Sequence, residues 1–146
     1  MEKSNNKMIN AIAKMHLKFG VTHKHLKWTD EEKDFRIVAM KEELNEYMDA
    51  ETKEDELDAL LDLVVFAMGT AERQGMLEVF EEGFMRVMRA NCNKEVGKNA
   101  KRGNFQIDLI KPESWQPPIL TDLVDPKEQQ IEMFQFPTEE LENGCN

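Results

Sequence analysis

The chain of 146 residues is long enough for one modest domain and too short for two comfortable ones. Its 29 acidic side chains against 19 basic ones give a formal charge of −10. That balance argues against a general nucleic-acid binder, because a phosphate backbone needs Lys and Arg opposite it, but a nucleotide remains compatible if a divalent cation bridges carboxylates to phosphate oxygens.

Four segments carry a helical period. The first runs from about Asn6 to Phe19, with Ile9, Ile12, Ala13, His16 and Leu17 on one face and Gly20 as its stop. A polar connector, Val21 to Trp28, leads to Thr29-Asp-Glu-Glu32, which has the form of a capping box. The second helix then carries Phe35, Val38, Ala39, Leu44, Tyr47 and Met48 to about Ala50. Thr52 caps a third helix, with Leu57, Leu60, Leu61, Val64, Val65 and Met68 on its apolar side, which ends near Gly75. The fourth spans about Met76 to Lys94, with Phe80, Phe84, Val87 and Met88 aligned. Beyond Gly97, glycine and three prolines by residue 118 disfavour a long regular element. The expected fold is all-α, an antiparallel four-helix bundle over residues 1–120 with an irregular C-terminal arm, followed by an acidic, mobile tail over 121–146.

Cys92 and Cys145 lie far apart and form no metal-binding spacing or disulfide framework. The opening residues hold no apolar leader, and no run approaches the length of a membrane span. The chain therefore reads as soluble and cytoplasmic, and its ten methionines suit a deformable helical core.

Chemistry concentrates in the acids of the second and third helices. Glu43 and Glu46 stand three apart and project from neighbouring turns of one face, while Asp58 and Asp62 stand four apart within the most apolar stretch. The connector around Ala50 to Thr52 is short enough to make these helices antiparallel neighbours. If both acidic faces turn inward, four carboxylates converge, an oxygen-only set suited to Mg²⁺ or Mn²⁺. The alternative reading of the glutamate pair is an ordinary solvated face. The two aspartates weigh against it, because an acid inside a buried stripe must be paired or ligate a metal.

The run Glu43-Leu-Asn-Glu46, then Asp58-Ala-Leu-Leu-Asp62 and the apolar stretch to Ala71, resembles the MazG-like pyrophosphohydrolases, whose signature is ExxE, a spacer, then ExxD. The phage and bacterial branch similar to phosphoribosyl-ATP pyrophosphohydrolase matches best. Met15-His-Leu-Lys-Phe-Gly20 is similar to its FHxKFG opening, Arg89-Ala-Asn-Cys-Asn-Lys94 to its SNxxK segment, and Ile110-Lys-Pro-Glu-Ser-Trp-Gln-Pro-Pro118 to its closing segment. The likeness covers roughly residues 8 to 120. It departs at Ala59, where the family carries its third carboxylate; Asp58 is the available substitute, since i−3 and i−4 share nearly one side of a helix.

This resemblance implies hydrolysis of (d)NTP to (d)NMP and pyrophosphate in nucleotide-pool control. Glu43, Glu46 and Asp62 correspond to Mg²⁺ ligands, with Asp58 as the fourth and Mn²⁺ as an alternative ion. Glu43 or its neighbour Glu42 could take the proton of the attacking water. Arg36, Lys94 and Lys111 are candidates for phosphate oxygens, and Asn91 for base or ribose, against the plain reading of each cation as a solvated surface charge. His16 and Phe19 are either a nucleobase pocket or a satisfied core pair. A homodimer or homotetramer with the site completed across the interface is also implied. The rivals are a phosphoribosyl-ATP pyrophosphohydrolase of histidine biosynthesis and a non-catalytic helical interaction module. In the tail, Gln130, Ile131, Met133 and Phe134 resemble the short peptides that dock on sliding clamps; packing back onto the bundle is the alternative.

Overall fold

A computed structural model describes residues 6–125, and the docking peptide and all but the first residues of the expected tail lie outside them. Helix α1 (Lys7–Phe19) starts where the Asn6 side chain accepts the N–H groups of Met8 and Ile9. It stops at Gly20, whose φ of 68° is the left-handed conformation that closes a helix. Helix α2 (Asp30–Asp49) is capped by Thr29, and α3 (Lys53–Arg73) by Thr52. Helix α4 (Phe80–Cys92) follows, then strand β1 (Glu95–Val96), a 3₁₀ turn (Ala100–Arg102), strand β2 (Leu109–Ile110) and the single turn α5 (Thr121–Val124). The chain is thus mainly helical, as the periodicity predicts, with one small sheet it did not anticipate. Among the described residues no helix is long and apolar enough to cross a membrane.

The chain divides into two units, one to Glu81 and one from Glu82. In the first, α3 is central and packs against both α2 and α1. Ile9 and Ile12 of α1 bury against Met68 of α3 and Leu77, with Ala13, Val65 and Phe80 around them. This core is small, and no large side chain among the described residues is fully enclosed. Truncating Ile12 or Met68 to Ala would cost roughly 2–5 kcal/mol, a large share of the total stability of a domain this size.

In the second unit β1 and β2 pair antiparallel, with Glu95 opposite Ile110 and Val96 opposite Leu109. Gly97 allows the close approach of Ile110, since a Cβ there would meet its side chain at 2.7 Å. Trp115 Nε1 donates to the Ala90 carbonyl at 2.7 Å, fixing the segment after β2 to α4. Arg86 of α4 donates to both Asp122 oxygens at 2.6 and 2.9 Å and to the Ile119 carbonyl, which orders α5 at the start of the expected tail.

The polarity of α2 is inverted relative to the expected pattern. Its more buried positions are Glu32, Arg36, Ala39, Met40 and Glu43, a helical spacing of one face. Phe35, Val38, Leu44 and Met48 are exposed, Met48 by 73 %. On α3, Leu57, Leu60, Leu61 and Val64 are exposed as well. The expected stripe of buried apolar residues around Asp58 and Asp62 is therefore not closed within one chain.

The inward polar face of α2 ends in a buried ion pair. Arg73, 2 % exposed, donates from Nε to Glu32 Oε1 at 2.7 Å and from Nη2 to Oε2 at 2.8 Å. Its Nη1 reaches the Leu26 carbonyl at 3.1 Å, so one guanidinium ties the end of α3 to the start of α2 and to the connector. Glu32 thereby leaves the capping box expected at Thr29; Thr29 still accepts the Glu32 N–H. A complete box forms instead at Thr52, whose N–H donates to Asp55 while its hydroxyl accepts the Asp55 N–H. The Arg73 hydrogen bonds hold the Glu32 carboxyl below its ordinary range. Its contribution to stability is present above the unfolded pKa and is lost as pH falls through the lowered folded value. Arg73→Met should cost roughly 3 kcal/mol in denaturant unfolding, because it leaves Glu32 facing an apolar side chain. Arg73→Met/Glu32→Leu should recover much of that loss; a double variant as unstable as the sum of the singles would show that the pair is not coupled.

Candidate active site

The three-residue link between α2 and α3, closed by the Thr52–Asp55 box, brings their acidic segments side by side. Glu43 lies on the half-buried face of α2, and its Oε2 is buried without a hydrogen-bond partner. Its carboxyl is pushed above the usual range, first by desolvation and then by the negative charges of Glu46, Asp62, Glu42 and Asp58. Glu46, Asp62, Glu42 and Asp58 thus each act electrostatically on Glu43. Asp58 is the weakest of these influences. Among the described residues no group of three or more His, Cys, Asp or Glu side chains is placed so as to hold a metal ion.

A cation fits this donor set chemically. The orphaned Glu43 oxygen has no protein partner, and hard carboxylate oxygens from two helices suit Mg²⁺ or Mn²⁺. Ala59 is 3 % exposed and Asp58 is exposed, so the position at which the resembling family carries its third carboxylate is buried and apolar here. Asp55 is engaged in capping α3.

Arg36 extends the same face of α2. Its guanidinium lies 3.5 Å from Glu32 Oε1, while its Nε is buried and unpartnered. His16, 3 % exposed, donates from Nδ1 to the Ile12 carbonyl at 3.0 Å, which leaves Nε2 as the acceptor nitrogen. A Cβ on Gly69 would meet His16 Cε1 at 3.0 Å and Arg36 Nη1 at 3.1 Å, so α1, α2 and α3 come together at this glycine. His16 is thus a buried histidine with one ring nitrogen bonded, beside a guanidinium. Phe19, 67 % exposed, does not share its burial; its ring lies under the Lys18 ammonium at 5.5 Å.

The remaining candidates belong to the second unit. Lys94 and Lys111 stand over the Trp115 ring at 5.7 and 4.3 Å from its centre and line a basin of about 460 Å³. Asn91 lies on the last turn of α4, outside that lining. Sequence reasoning did not single out Lys98, Lys101 or Arg102, which line the same basin. It also missed a cleft of about 450 Å³ in the first unit, bounded by Asn10, Lys14, Leu17 and the connector histidines. There His23 Nδ1 lies 3.0 Å from Glu72 Oε1, and Thr22 Oγ1 lies 2.9 Å from His25 Nδ1. No local signal announces the His23–Glu72 pair, whose members are 49 residues apart.

No protein-family model matches the chain, and no curated protein matches its sequence. The raised Glu43 carboxyl gives a direct test of the cluster. A group whose pKa is raised on folding contributes its stability below the unfolded pKa, and that contribution is lost as pH rises through the folded value. Without divalent cations, Glu43→Gln should therefore raise the thermal midpoint near pH 8 and lose that advantage near pH 5. Equal midpoints at both pH values would mean that Glu43 carries no charge strain.

Proposed function

We propose that this protein is a magnesium-dependent nucleoside triphosphate pyrophosphohydrolase, cleaving (d)NTP to (d)NMP and pyrophosphate. The observation that carries the reading is Glu43, whose buried, unpartnered oxygen stands within the field of Glu46, Asp62, Glu42 and Asp58. The sequence resemblance supports the reading by assigning ligand roles to Glu43, Glu46 and Asp62. Glu43, Glu46, Asp62 and the more weakly coupled Asp58 would hold Mg²⁺, which when bound lowers the pKa of a water and neutralises phosphate charge. Glu42 is exposed beside this cluster and is the group to accept the proton of the attacking water. Glu43 is already raised in pKa and would regain its charge once a cation offsets its neighbours. Arg36, whose Nε is buried without a partner on the same face, is the cation this reading assigns to phosphate oxygens. His16 Nε2 can accept a hydrogen bond from a nucleobase edge.

The protein acts, in this reading, as a homo-oligomer. Phe35, Val38, Leu44, Leu57, Leu60 and Leu61 form the apolar surface that a second copy would cover, completing a four-helix bundle from paired α2 and α3. One observation favours a non-catalytic alternative, the buried Ala59 in place of a carboxylate.

A panel of canonical, deoxy and modified triphosphates, together with phosphoribosyl-ATP, followed by pyrophosphate release with Mg²⁺, tests the activity. Glu46→Gln and Asp62→Asn should nearly abolish turnover while conserving the fold, and Asp58→Asn should lower it by orders of magnitude. Asp55→Asn should instead cost about 1 kcal/mol of stability through the lost cap, with turnover little changed. No pyrophosphate release from any substrate, with no Mg²⁺ or Mn²⁺ bound at millimolar concentration, would favour the non-catalytic alternative. Sedimentation of Leu57→Glu/Leu61→Glu tests assembly, which should shift toward the monomer; unchanged sedimentation would remove this face from the interface.

A further inference from the structure

We propose that the second unit is an oligophosphate-binding module in its own right, which takes a condensed phosphate such as inorganic triphosphate in the basin lined by Lys94, the segment around the 3₁₀ turn and β2. The basin of about 460 Å³ is lined by Lys94, Lys98, Lys101, Arg102 and Lys111, with Asn99 and three apolar residues, and no acid lines it. Five of the chain's 19 basic side chains thus meet in one cavity of a molecule with a formal charge of −10.

The site is partly organised beforehand. Trp115 is held by its hydrogen bond to the Ala90 carbonyl, and its ring carries the ammonium groups of both Lys94 and Lys111. Arg102 is oriented by Asp108, whose Oδ1 is 3.0 Å from Nη1; this carboxylate offsets part of the Arg102 charge. Lys98 and Lys101 are exposed. Four ammonium groups and one planar fork around a single open basin match a compact ligand with several charges on adjacent phosphates. A nucleic-acid strand carries its charges along a line and needs an extended basic stripe, which the acid-rich composition does not favour. The binding requires no divalent cation and no hydrolysis, so it does not rest on the hydrolase reading.

Calorimetric titration of the full chain with inorganic tripolyphosphate, in chelator and low salt, tests the module. Saturable binding is expected, weakening as salt rises, with Lys98→Gln/Lys101→Gln reducing affinity by about tenfold or more. Glu46→Gln/Asp62→Asn should bind as the wild type does, which separates this inference from the hydrolase reading. In the unaltered protein, tripolyphosphate should slow acetylation of Lys98 and Lys101 while leaving Lys14 and Lys33 unaffected. Absence of binding at millimolar tripolyphosphate, uniform lysine protection, or tighter binding of a short single-stranded oligonucleotide would each overturn the proposal.

Discussion

The Arg73 guanidinium is the fixed point of the first unit. It lies at the end of α3 furthest from the short α2–α3 link and holds both Glu32 and the carbonyls of the preceding connector. A helix pair joined at one end by three residues could still splay at the other. The buried bidentate pair prevents this, and with it sets how α2 is rotated about its axis. Because Glu32 must face Arg73, the residues at helical spacing after it, Arg36, Ala39 and Glu43, must face inward as well. The apolar side chains of α2 are left outside by the same rotation. Local electrostatic pairing and the direction in which the helix presents its greasy side are therefore one constraint, and the acidic cluster follows from it.

Much of the helical framework was legible because its signals are local. Asn6, Thr29 and Thr52 each mark a start, and Gly20 marks a stop, within a residue of the observed boundaries. Glu32 shows where local reasoning ends. Thr29 and Glu32 have the spacing of a capping box, as do Thr52 and Asp55, yet a competitor 41 residues away takes the first carboxylate. The face of α2 was misjudged for a related reason. Its apolar residues are scattered around the helix, so periodicity did not identify a buried side.

Of the candidate site, the four carboxylates were visible in sequence as two spaced pairs on linked helices. Glu46, Asp62 and Asp58 each act electrostatically on Glu43, and the argument that Asp58 and Asp62 sit in a buried stripe does not hold within one chain. His16 was open to two readings, and its bond to Ile12 satisfies one nitrogen while leaving the other as an acceptor. The basic residues after Gly97 were not legible as a group. Lys98, Lys101 and Arg102 are ordinary surface cations in sequence, and only the pairing of β1 with β2 brings them round the same cavity as Lys94 and Lys111.

Gly69 carries a consequence for how this sequence can vary. The space its missing side chain leaves is shared by an imidazole from α1 and a guanidinium from α2, each about 3 Å from where a methyl group would stand. A larger residue at 69 is tolerable only if both neighbours move or shrink, and a smaller residue at 16 or 36 opens a gap that glycine cannot fill. Positions 16, 36 and 69 are therefore epistatic: the effect of changing one depends on what occupies the other two. Divergence at this junction proceeds by coordinated replacement, and a homologue with a bulkier residue at 69 should carry a shorter one at 16 or 36.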